Sequence, residues 1–268
     1  MPSQSQSAAE ILRVAVAVAG PVVDLAEAAL ACAALDRGGL DLAPYRRHLA
    51  ELIGDMRART EAVPPVGLAS VLAQWHGYRG DRETYDDIAN ADLAHVIDRR
   101  KGLPVALSIL WMHVARGCGW RCMGLNTPGH FVIRLDAQGG NWILDPFDGG
   151  TILDHQALQM LIGRGEKLSP ENVATVDDRA VLLRLQNNIK LRLQRDGQTH
   201  RALAVVERML IIAPRAAELW REAGAINAEL ENLRAAIDCL DTAIALAASA
   251  DARQRIAADR ARLTGRLN

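Results

Sequence analysis

The spacing of hydrophobic residues predicts helices in the first part of the chain. Apolar residues recur every three or four positions from Val22 to Ala33, and the pattern ends at Gly38-Gly39. A second helix begins at Pro44, because proline is tolerated in a first turn and the apolar residues after it fall on one face. The segment from Leu103 to Arg116 is apolar on nearly every side of a helix, so we expect it to be buried centrally.

The pattern changes to that of β-strands after Gly119. Phe131–Leu135 and Asn141–Leu144 are rich in β-forming residues, and the glycine-containing segment Asp136–Gly140 joins them. Two such runs around a short glycine turn predict an antiparallel hairpin. Helical spacing returns from about residue 155. The sequence therefore predicts an α+β fold, in which a helical layer and a central helix pack on a small antiparallel sheet, followed by further helices.

The last part of the chain contains a repeat. Three apolar positions recur 34 residues later, at Ala202 and Ala236, Val206 and Leu240, and Met209 and Ala243. This period resembles that of the tetratricopeptide repeat, in which small residues at fixed positions let paired helices pack closely. A plain helical bundle is the alternative. Helical hairpins of the repeat type present a concave surface that suits a protein or peptide partner.

These patterns predict two domains and an N-terminal extension. Residues 1–21 form the extension, residues 22–178 form the α+β domain, and residues 179–268 form the tetratricopeptide-like hairpins. The charge also changes at the second boundary, because residues 1–178 carry an acidic excess and residues 179–268 carry a basic excess. We expect the protein or peptide partner to bind residues 179–268.

The overall charge and the hydrophobic stretches exclude two classes of partner. The chain has 31 lysine and arginine residues against 32 aspartate and glutamate residues, far from the basic excess of nucleic-acid-binding proteins. Its most hydrophobic stretch, Ile11–Val23, is interrupted by Arg13 and Gly20-Pro21 and is too short to span a bilayer. We therefore expect neither a nucleic-acid partner nor a membrane partner.

The number and spacing of the cysteines indicate the cellular compartment and whether a metal site is expected. Four cysteines are scattered along the chain, which is typical of a reducing compartment and predicts a cytoplasmic protein. Cys118 and Cys122 are close in sequence, but no second cysteine pair or clustered histidine completes a zinc site. We expect no metal and no cofactor.

His130 and Asp145 stand at the open end of the predicted hairpin. His130 begins its first strand and Asp145 ends its second, so we expect the two side chains to lie nearly opposite each other. Directly opposite residues have Cβ atoms about 4.5 to 5.5 Å apart, close enough for a carboxylate to orient an imidazole. Such a pair is the base and the orienting group of a nucleophilic triad. A buried turn histidine and a strand-end cap would explain the same two residues.

Four motifs resemble the successive signatures of the bacterial SirB-type transglutaminase-like family. They are Asn90–Leu93, Arg99–Pro104, Pro128–Phe131 and Leu144–Gly150. The resemblance extends from about Asp24 to Asp154, and the family joins this domain to tetratricopeptide repeats. It implies the cysteine-protease-like α+β fold of the transglutaminases.

The resemblance also implies a departure from the active enzymes. In active members a cysteine opens the central helix, and here Pro104 takes that place. Because proline has no nucleophilic atom, the resemblance implies a non-catalytic regulatory or protein-binding module that keeps the His130 and Asp145 pair. The alternative is an amide hydrolase or acyl transferase with a different nucleophile. The candidates for that nucleophile are Ser108, Cys118 and Cys122.

Three further residues are expected along the cleft. The resemblance places Asn90, Asn126 and Gly129 there. An asparagine amide in a cleft can donate to a developing oxyanion, or it can cap a turn. Both uses are consistent with the sequence.

Overall fold

The chain folds into two units. The structure, a computed structural model, describes residues 7–17, 22–59, 63–162 and 169–267. Contacts between residues separate one unit, Met1–Leu185, from a second unit, Gln186–Asn268. The boundary falls inside a single helix, Asp178–Arg195. The domain limits after residues 21 and 178 stay a prediction, and residue 21 lies outside the described residues.

The first unit is rich in helices. They are α1 Ala8–Val16, α2 Leu25–Arg37, α3 Ala43–Arg57, α4 Pro64–Leu68, α5 Leu93–Arg99, α6 Pro104–Gly117, α7 His155–Ile162 and the first part of α8 Asp178–Arg195. A π-helix, Ala69–Trp75, continues α4. Helices α2, α3 and α6 lie where the hydrophobic spacing predicts them. Helix α1 lies in the segment expected as an extension, and its Leu12, Ala15 and Val16 are buried.

Helix α6 is the centre of the first unit. Eleven of its fourteen residues are buried, as its apolar sequence predicts. Gly150 lies so close to this helix that a Cβ atom there would be 2.1 Å from the Trp111 ring. The φ of Gly150 is also +85°, a value that glycine adopts without steric cost. The turn that contains Gly150 is therefore fixed against the central helix.

The strands form two sheets. Strands β1 Arg79–Gly80 and β2 Lys101–Gly102 pair in parallel as a separate ribbon. The other strands are β3 Arg121–Leu125, β4 Ile133–Ala137, β5 Gly140–Asp145, β6 Thr151–Leu153 and β7 Thr175–Val176, and they form an antiparallel sheet in the order β6-β5-β4-β3-β7. Strands β4 and β5 are the predicted hairpin, with Ile133 opposite Leu144. The predicted α+β fold is confirmed.

The start of α8 belongs to the core of the first unit. Asp178 is buried, and its carboxylate accepts two hydrogen bonds from Arg116 of α6, both at 2.8 Å. It also accepts the backbone N–H of Val23 at 2.8 Å. The same Arg116 donates to the carbonyl of Cys122 on β3. One buried ion pair therefore joins the central helix, the sheet and the first turn of α8.

Helical hairpins form the second unit. After the end of α8, its helices are α9 Thr199–Ile212, α10 Ala217–Glu229, α11 Leu233–Leu246 and α12 Ala250–Leu267, each packed on the next. The repeated alanines, Ala202 and Ala236, are both fully buried. The 34-residue period therefore reflects how these helices pack, as the sequence predicts. Among the residues that the structure describes, no helix has the length and apolar character that a membrane span requires.

Candidate functional site

His130 and Asp145 form a hydrogen-bonded pair. The imidazole Nε2 of His130 lies 3.0 Å from each carboxylate oxygen of Asp145. The carboxylate is buried, with 5% of its side chain exposed, whereas 16% of the imidazole side chain is exposed. Because a carboxylate only accepts hydrogen bonds, Nε2 carries a proton in this contact. Asp145 therefore fixes the tautomer and the orientation of the ring.

Asp145 is held at the end of β5 by the turn that follows it. Its carboxylate accepts the backbone N–H of Phe147 at 3.0 Å, and its carbonyl accepts the N–H of Gly150 at 2.8 Å. A 3₁₀ turn, Pro146–Asp148, lies between these two contacts. Because Gly150 packs on Trp111, the central helix fixes the turn and the turn fixes the carboxylate.

His130 reaches Asp145 from a loop rather than from a strand. Strand β4 begins three residues later, at Ile133, and its register places Val132 beside Asp145. The expectation that His130 begins the strand is therefore wrong, although the expected side-chain contact with Asp145 is present. The physical reason is Gly129, whose φ of +70° turns the chain before the strand begins.

Arg184 of α8 holds the loop that carries His130. Its Nη2 donates to the carbonyls of Thr127, at 3.0 Å, and His130, at 2.7 Å. Its guanidinium carbon lies 5.0 Å from the centre of the Phe131 ring, and burial lowers the pKa of Arg184 from its ordinary value. Sequence reasoning missed this residue, because a single arginine 54 positions from His130 carries no local pattern that points to the loop.

The second ring nitrogen of His130, Nδ1, has no hydrogen-bond partner among the described residues. The ring packs edge-on against Phe147, with the centroids 5.8 Å apart. Two further side chains contact the same phenyl ring, Tyr85 at 5.9 Å between centroids and Arg82 at 5.2 Å. Sequence reasoning did not assign these neighbours, and the only signal was the position of Phe147 in the motif after Asp145. Nδ1 is the atom through which the pair can accept a proton.

Pro104 is the first residue of α6. It is buried, and the residue before it, Leu103, has the extended backbone of a helix N-cap. Proline suits this position because its fixed φ matches the first turn of a helix. It supplies no thiol, no hydroxyl and no backbone N–H. His130 and Asp145 therefore provide a base and its orienting group, but residue 104 provides no nucleophile.

Both units match families of known proteins. The family described as the transglutaminase-like superfamily matches residues 43–187, and the tetratricopeptide repeat family matches residues 189–264. The chain belongs to the transglutaminase-like superfamily.

Relatives of this transglutaminase-like chain include UPF0162 proteins and SirB1. The UPF0162 protein of Xylella fastidiosa (strain 9a5c) is 30% identical over 69% of this chain and 70% of the relative. The UPF0162 protein of Vibrio cholerae serotype O1 is 31% identical over 66% of this chain and 65% of the relative. Protein SirB1 of Salmonella typhimurium is 26% identical, over 61% of this chain and 62% of the relative. The predicted SirB-type family is confirmed.

One solved structure, that of menin, aligns with 89% of this chain and 69% of its own length. The sequence identity is 9% and the TM-score is 0.40. A likeness at this level supports no argument about function.

Two of the three alternative nucleophiles in the transglutaminase-like unit are buried, and the third is half-buried. Cys122 on β3 is 1% exposed, and burial raises the pKa of its thiol to about 12. Cys118, which follows α6, is half-buried, and burial raises the pKa of its thiol as well. A raised pKa reduces the thiolate fraction and with it the rate of attack. Ser108 is fully buried one turn after Pro104, and its Oγ has no hydrogen-bond partner in the described part of the chain.

The residues expected along the cleft lie in different settings. Asn90 is fully buried, and its amide donates to the carbonyl of Thr84 at 2.6 Å and accepts from Arg99 at 3.2 Å. The structure therefore does not present Asn90 to a cleft, because both ends of the amide hold the segment before α5. Asn126 and Gly129 are exposed in the loop before β4, and their place in a cleft stays a prediction.

The chemistry open to this site is that of an oriented imidazole. A proton taken up at Nδ1 of His130 would give an imidazolium that the Asp145 carboxylate stabilises. Within the ranges that the structure describes, no three His, Cys, Asp or Glu side chains are placed to hold a metal ion.

The tetratricopeptide-like unit carries a groove of about 730 Å³ between α10 and α12. Its floor is apolar and consists of Ala225, Ala228, Leu240 and Leu263. Its walls are charged and consist of Glu218, Arg221, Glu222, Asp259, Arg262 and Arg266. Some of these charges pair between the helices, as Arg221 does with Asp259 at 3.2 Å. An apolar floor between charged walls suits the apolar stripe of an amphipathic peptide.

Proposed function

We propose that this chain is a non-catalytic, transglutaminase-like regulatory module that binds a protein partner. In this proposal the transglutaminase-like unit keeps His130 and Asp145 in a binding cleft, and residues 179–268 recognise the partner. The single observation that carries the proposal is Pro104 at the first position of α6. None of the four cysteines forms a disulfide bond, which suits action in the reducing cytoplasm.

The loss at residue 104 removes two contributions to catalysis at once. A thiol at the start of a helix is more easily ionised, because the helix dipole and the free N–H groups stabilise a thiolate. Proline lacks the thiol, and it also lacks one of the N–H groups that a helix start offers to a developing oxyanion. In an active enzyme of this kind the imidazole would take the proton from such a thiol, and residue 104 has no thiol to supply it.

The groove of the second unit supports the protein-binding part of the proposal. Its apolar floor lies between α10 and α12, where a stripe of hydrophobic side chains on a peptide would leave water. The charged walls would select among partners more than they would add affinity. The tetratricopeptide repeats of the family are consistent with this role.

A cysteine placed at residue 104 tests the proposal. Iodoacetamide at neutral pH should alkylate Pro104→Cys at least about tenfold faster than the neighbouring Val105→Cys, because the first thiol gains thiolate character from the helix start and from His130. The excess rate should disappear when His130→Ala is added. Mass spectrometry of the full chain gives both rates, and circular dichroism checks that each variant is folded.

The wild-type chain provides the decisive control. Amide-directed probes that react with thiols or serines should leave Ser108, Cys118 and Cys122 unlabelled. Labelling of any of them that depends on His130 would make the protein a working hydrolase or acyl transferase. Equal alkylation of Pro104→Cys and Val105→Cys would show that residue 104 is not the nucleophile position.

A further inference from the structure

A second cluster of polar side chains surrounds His48 of α3. The Nε2 of His48 lies 2.9 Å from the hydroxyl of Tyr78 and accepts a hydrogen bond from Nη1 of Arg100. Its Nδ1 lies 3.1 Å from the carboxylate of Glu51. Arg100 also donates to the Tyr78 hydroxyl, and its guanidinium carbon is 4.8 Å from the centre of the Tyr78 ring. The His48 side chain is 13% exposed and Tyr78 is 1% exposed, whereas the Glu51 side chain at the edge of the cluster is 60% exposed.

The partners of His48 fix its protonation state. A guanidinium only donates hydrogen bonds, so the Nε2 that contacts Arg100 must be an acceptor. The ring proton then lies on Nδ1, where it is donated to Glu51. The contact with Arg100 therefore requires a neutral imidazole. Burial first, and then the charge of Arg100, lower the pKa of His48 from its ordinary value, although Glu51 acts in the opposite direction.

The other titratable groups around His48 come from neighbouring elements. Glu51 lies on α3 itself, and Arg100 follows α5. The ring of His76, which follows the π-helix, is 5.5 Å from the His48 ring, and its Nε2 is 2.8 Å from Asp55 of α3. The cavity beside His48 and Arg100 is also lined by Asp41, Tyr45 and Asp98.

Arg100 holds an unusual backbone conformation at the end of α5. Its φ of +57° is left-handed, which residues other than glycine adopt at an energetic cost. Its carbonyl accepts the N–H of Arg79 at 3.0 Å, so this turn begins the pairing of β1 with β2. Strand β2 ends at Gly102, and only Leu103 separates it from Pro104 at the start of α6. The side-chain contacts of Arg100 therefore secure a turn that sets the position of the ribbon.

The ribbon also contacts the neighbourhood of His130. Gly80 of β1 is packed so closely on Phe147 that a Cβ atom there would be 2.5 Å from the phenyl ring. Phe147 is the ring that packs edge-on against His130. A continuous chain of contacts therefore joins the turn at Arg100, through β1, to a side chain of the candidate site.

We propose that His48 is a pH-dependent switch. The neutral imidazole holds the Arg100 turn and the β1–β2 ribbon in place, and protonation of the imidazole releases them. Protonation puts an imidazolium in contact with a guanidinium, and the two cations separate. The Arg100 side chain then loses its hydrogen bond to His48, the turn at Arg100 is held less firmly, and Gly80 shifts against Phe147. This inference goes beyond the proposed function, because it holds whether or not His130 takes part in catalysis.

An NMR titration of the full chain between pH 8 and pH 5 tests whether His48 is such a switch. The imidazole of His48 should titrate with a midpoint below about 6.5, the value of an unperturbed histidine. The backbone amides of Gly80 and Gly102 should shift with the same midpoint. His48→Gln keeps an acceptor for Arg100 and does not titrate, so the shifts at that midpoint should be lost. The matched control is His76→Gln, in which the shifts should persist, with a midpoint that moves upward because the charge of His76 helps to lower the pKa of His48.

Several results would overturn the proposal. One is that the chemical shifts of the Gly80 and Gly102 amides do not change with pH in the wild type. Another is that they change in His48→Gln as much as they do in the wild type. A His48 midpoint at or above about 6.5 would contradict it as well. So would a loss of the shifts in His76→Gln but not in His48→Gln. The wild-type titration decides the matter even where a variant fails to fold, because it follows the imidazole and both amides in one sample.

Discussion

Asp178 is a single residue on which three parts of the first unit depend. Its carboxylate is bonded to Arg116 of the central helix and to the backbone before α2, and Arg116 in turn caps a carbonyl on β3. The removal of one partner from a buried ion pair leaves the other charge uncompensated, which costs far more than the loss of an exposed pair. The stability of the unit is therefore unusually sensitive to this one side chain.

We predict that Asp178→Ala lowers the free energy of unfolding by about 3 kcal/mol. The reason is that Arg116 loses its carboxylate and the N–H of Val23 loses its acceptor. Urea denaturation followed by circular dichroism measures the change. As a control, Arg134→Ala breaks the more exposed pair of Arg134 with Asp136, and it should cost less than about 1 kcal/mol. Similar losses in the two variants would mean that the buried pair adds little.

The residues of the candidate site were predictable to different degrees. His130 and Asp145 were recognisable because each flanks a β-rich run beside a glycine or proline turn. The position of His130 relative to Asp145 in the hairpin was not predictable, because the loop at Gly129 displaces His130 from the strand. The burial of Asn90 was not predictable either. It depends on Thr84 and Arg99, whose contacts with the amide arise only when the segment between β1 and α5 has folded.

At the scale of elements, periodicity decides what a sequence reveals. Helix α6 and the β4–β5 hairpin were predicted because their patterns are long and strong. Strands β3, β6 and β7 were not predicted. Strands β6 and β7 have only three and two residues, which is too short for a recognisable pattern. Strand β3 contains Arg121 and Gly124, which weaken its pattern. Their place in the sheet is set by neighbouring strands, so it cannot be read from local composition.

We predict that Arg184→Ala loosens the loop that carries His130. The loss of a charged donor to two loop carbonyls should speed amide hydrogen exchange of residues 127–132 by about tenfold. Hydrogen exchange of the full chain, read by mass spectrometry, measures this. The matched control is Arg179→Ala on the same helix, which donates to the Val16 carbonyl and should leave the loop unchanged. Unchanged exchange in Arg184→Ala would mean that Arg184 does not hold this loop in place.

At the scale of the whole molecule, the oriented imidazole and the apolar groove belong to different units. The His130 and Asp145 pair lies in the transglutaminase-like unit, and the groove lies in the repeats. The charge balance and the repeat period indicated this division from the sequence. The composition of the groove was not predictable, because its floor brings together side chains of three helices, α10, α11 and α12.

We predict that charge reversal on the groove abolishes partner binding. The double variant Arg262→Glu and Arg266→Glu should capture at least about tenfold less partner from extracts of the source organism, because it reverses one wall of the groove. Quantitative mass spectrometry of the captured proteins measures the loss. Arg234→Glu, on α11 outside the groove, makes a single charge reversal and should capture as well as the wild type. Equal capture by all three proteins would place the partner surface elsewhere.

The continuity of α8 limits how evolution can recombine this protein. The opening turns of the helix supply Asp178 and Arg184 to the transglutaminase-like unit, and the same helix runs on to Arg195 in the repeats. A gene fusion that joined new repeats at the start of the helix would remove both Asp178 and Arg184 from the transglutaminase-like unit. Viable crossover points between relatives should therefore lie inside the helix, after residue 185, rather than in the turn that precedes it.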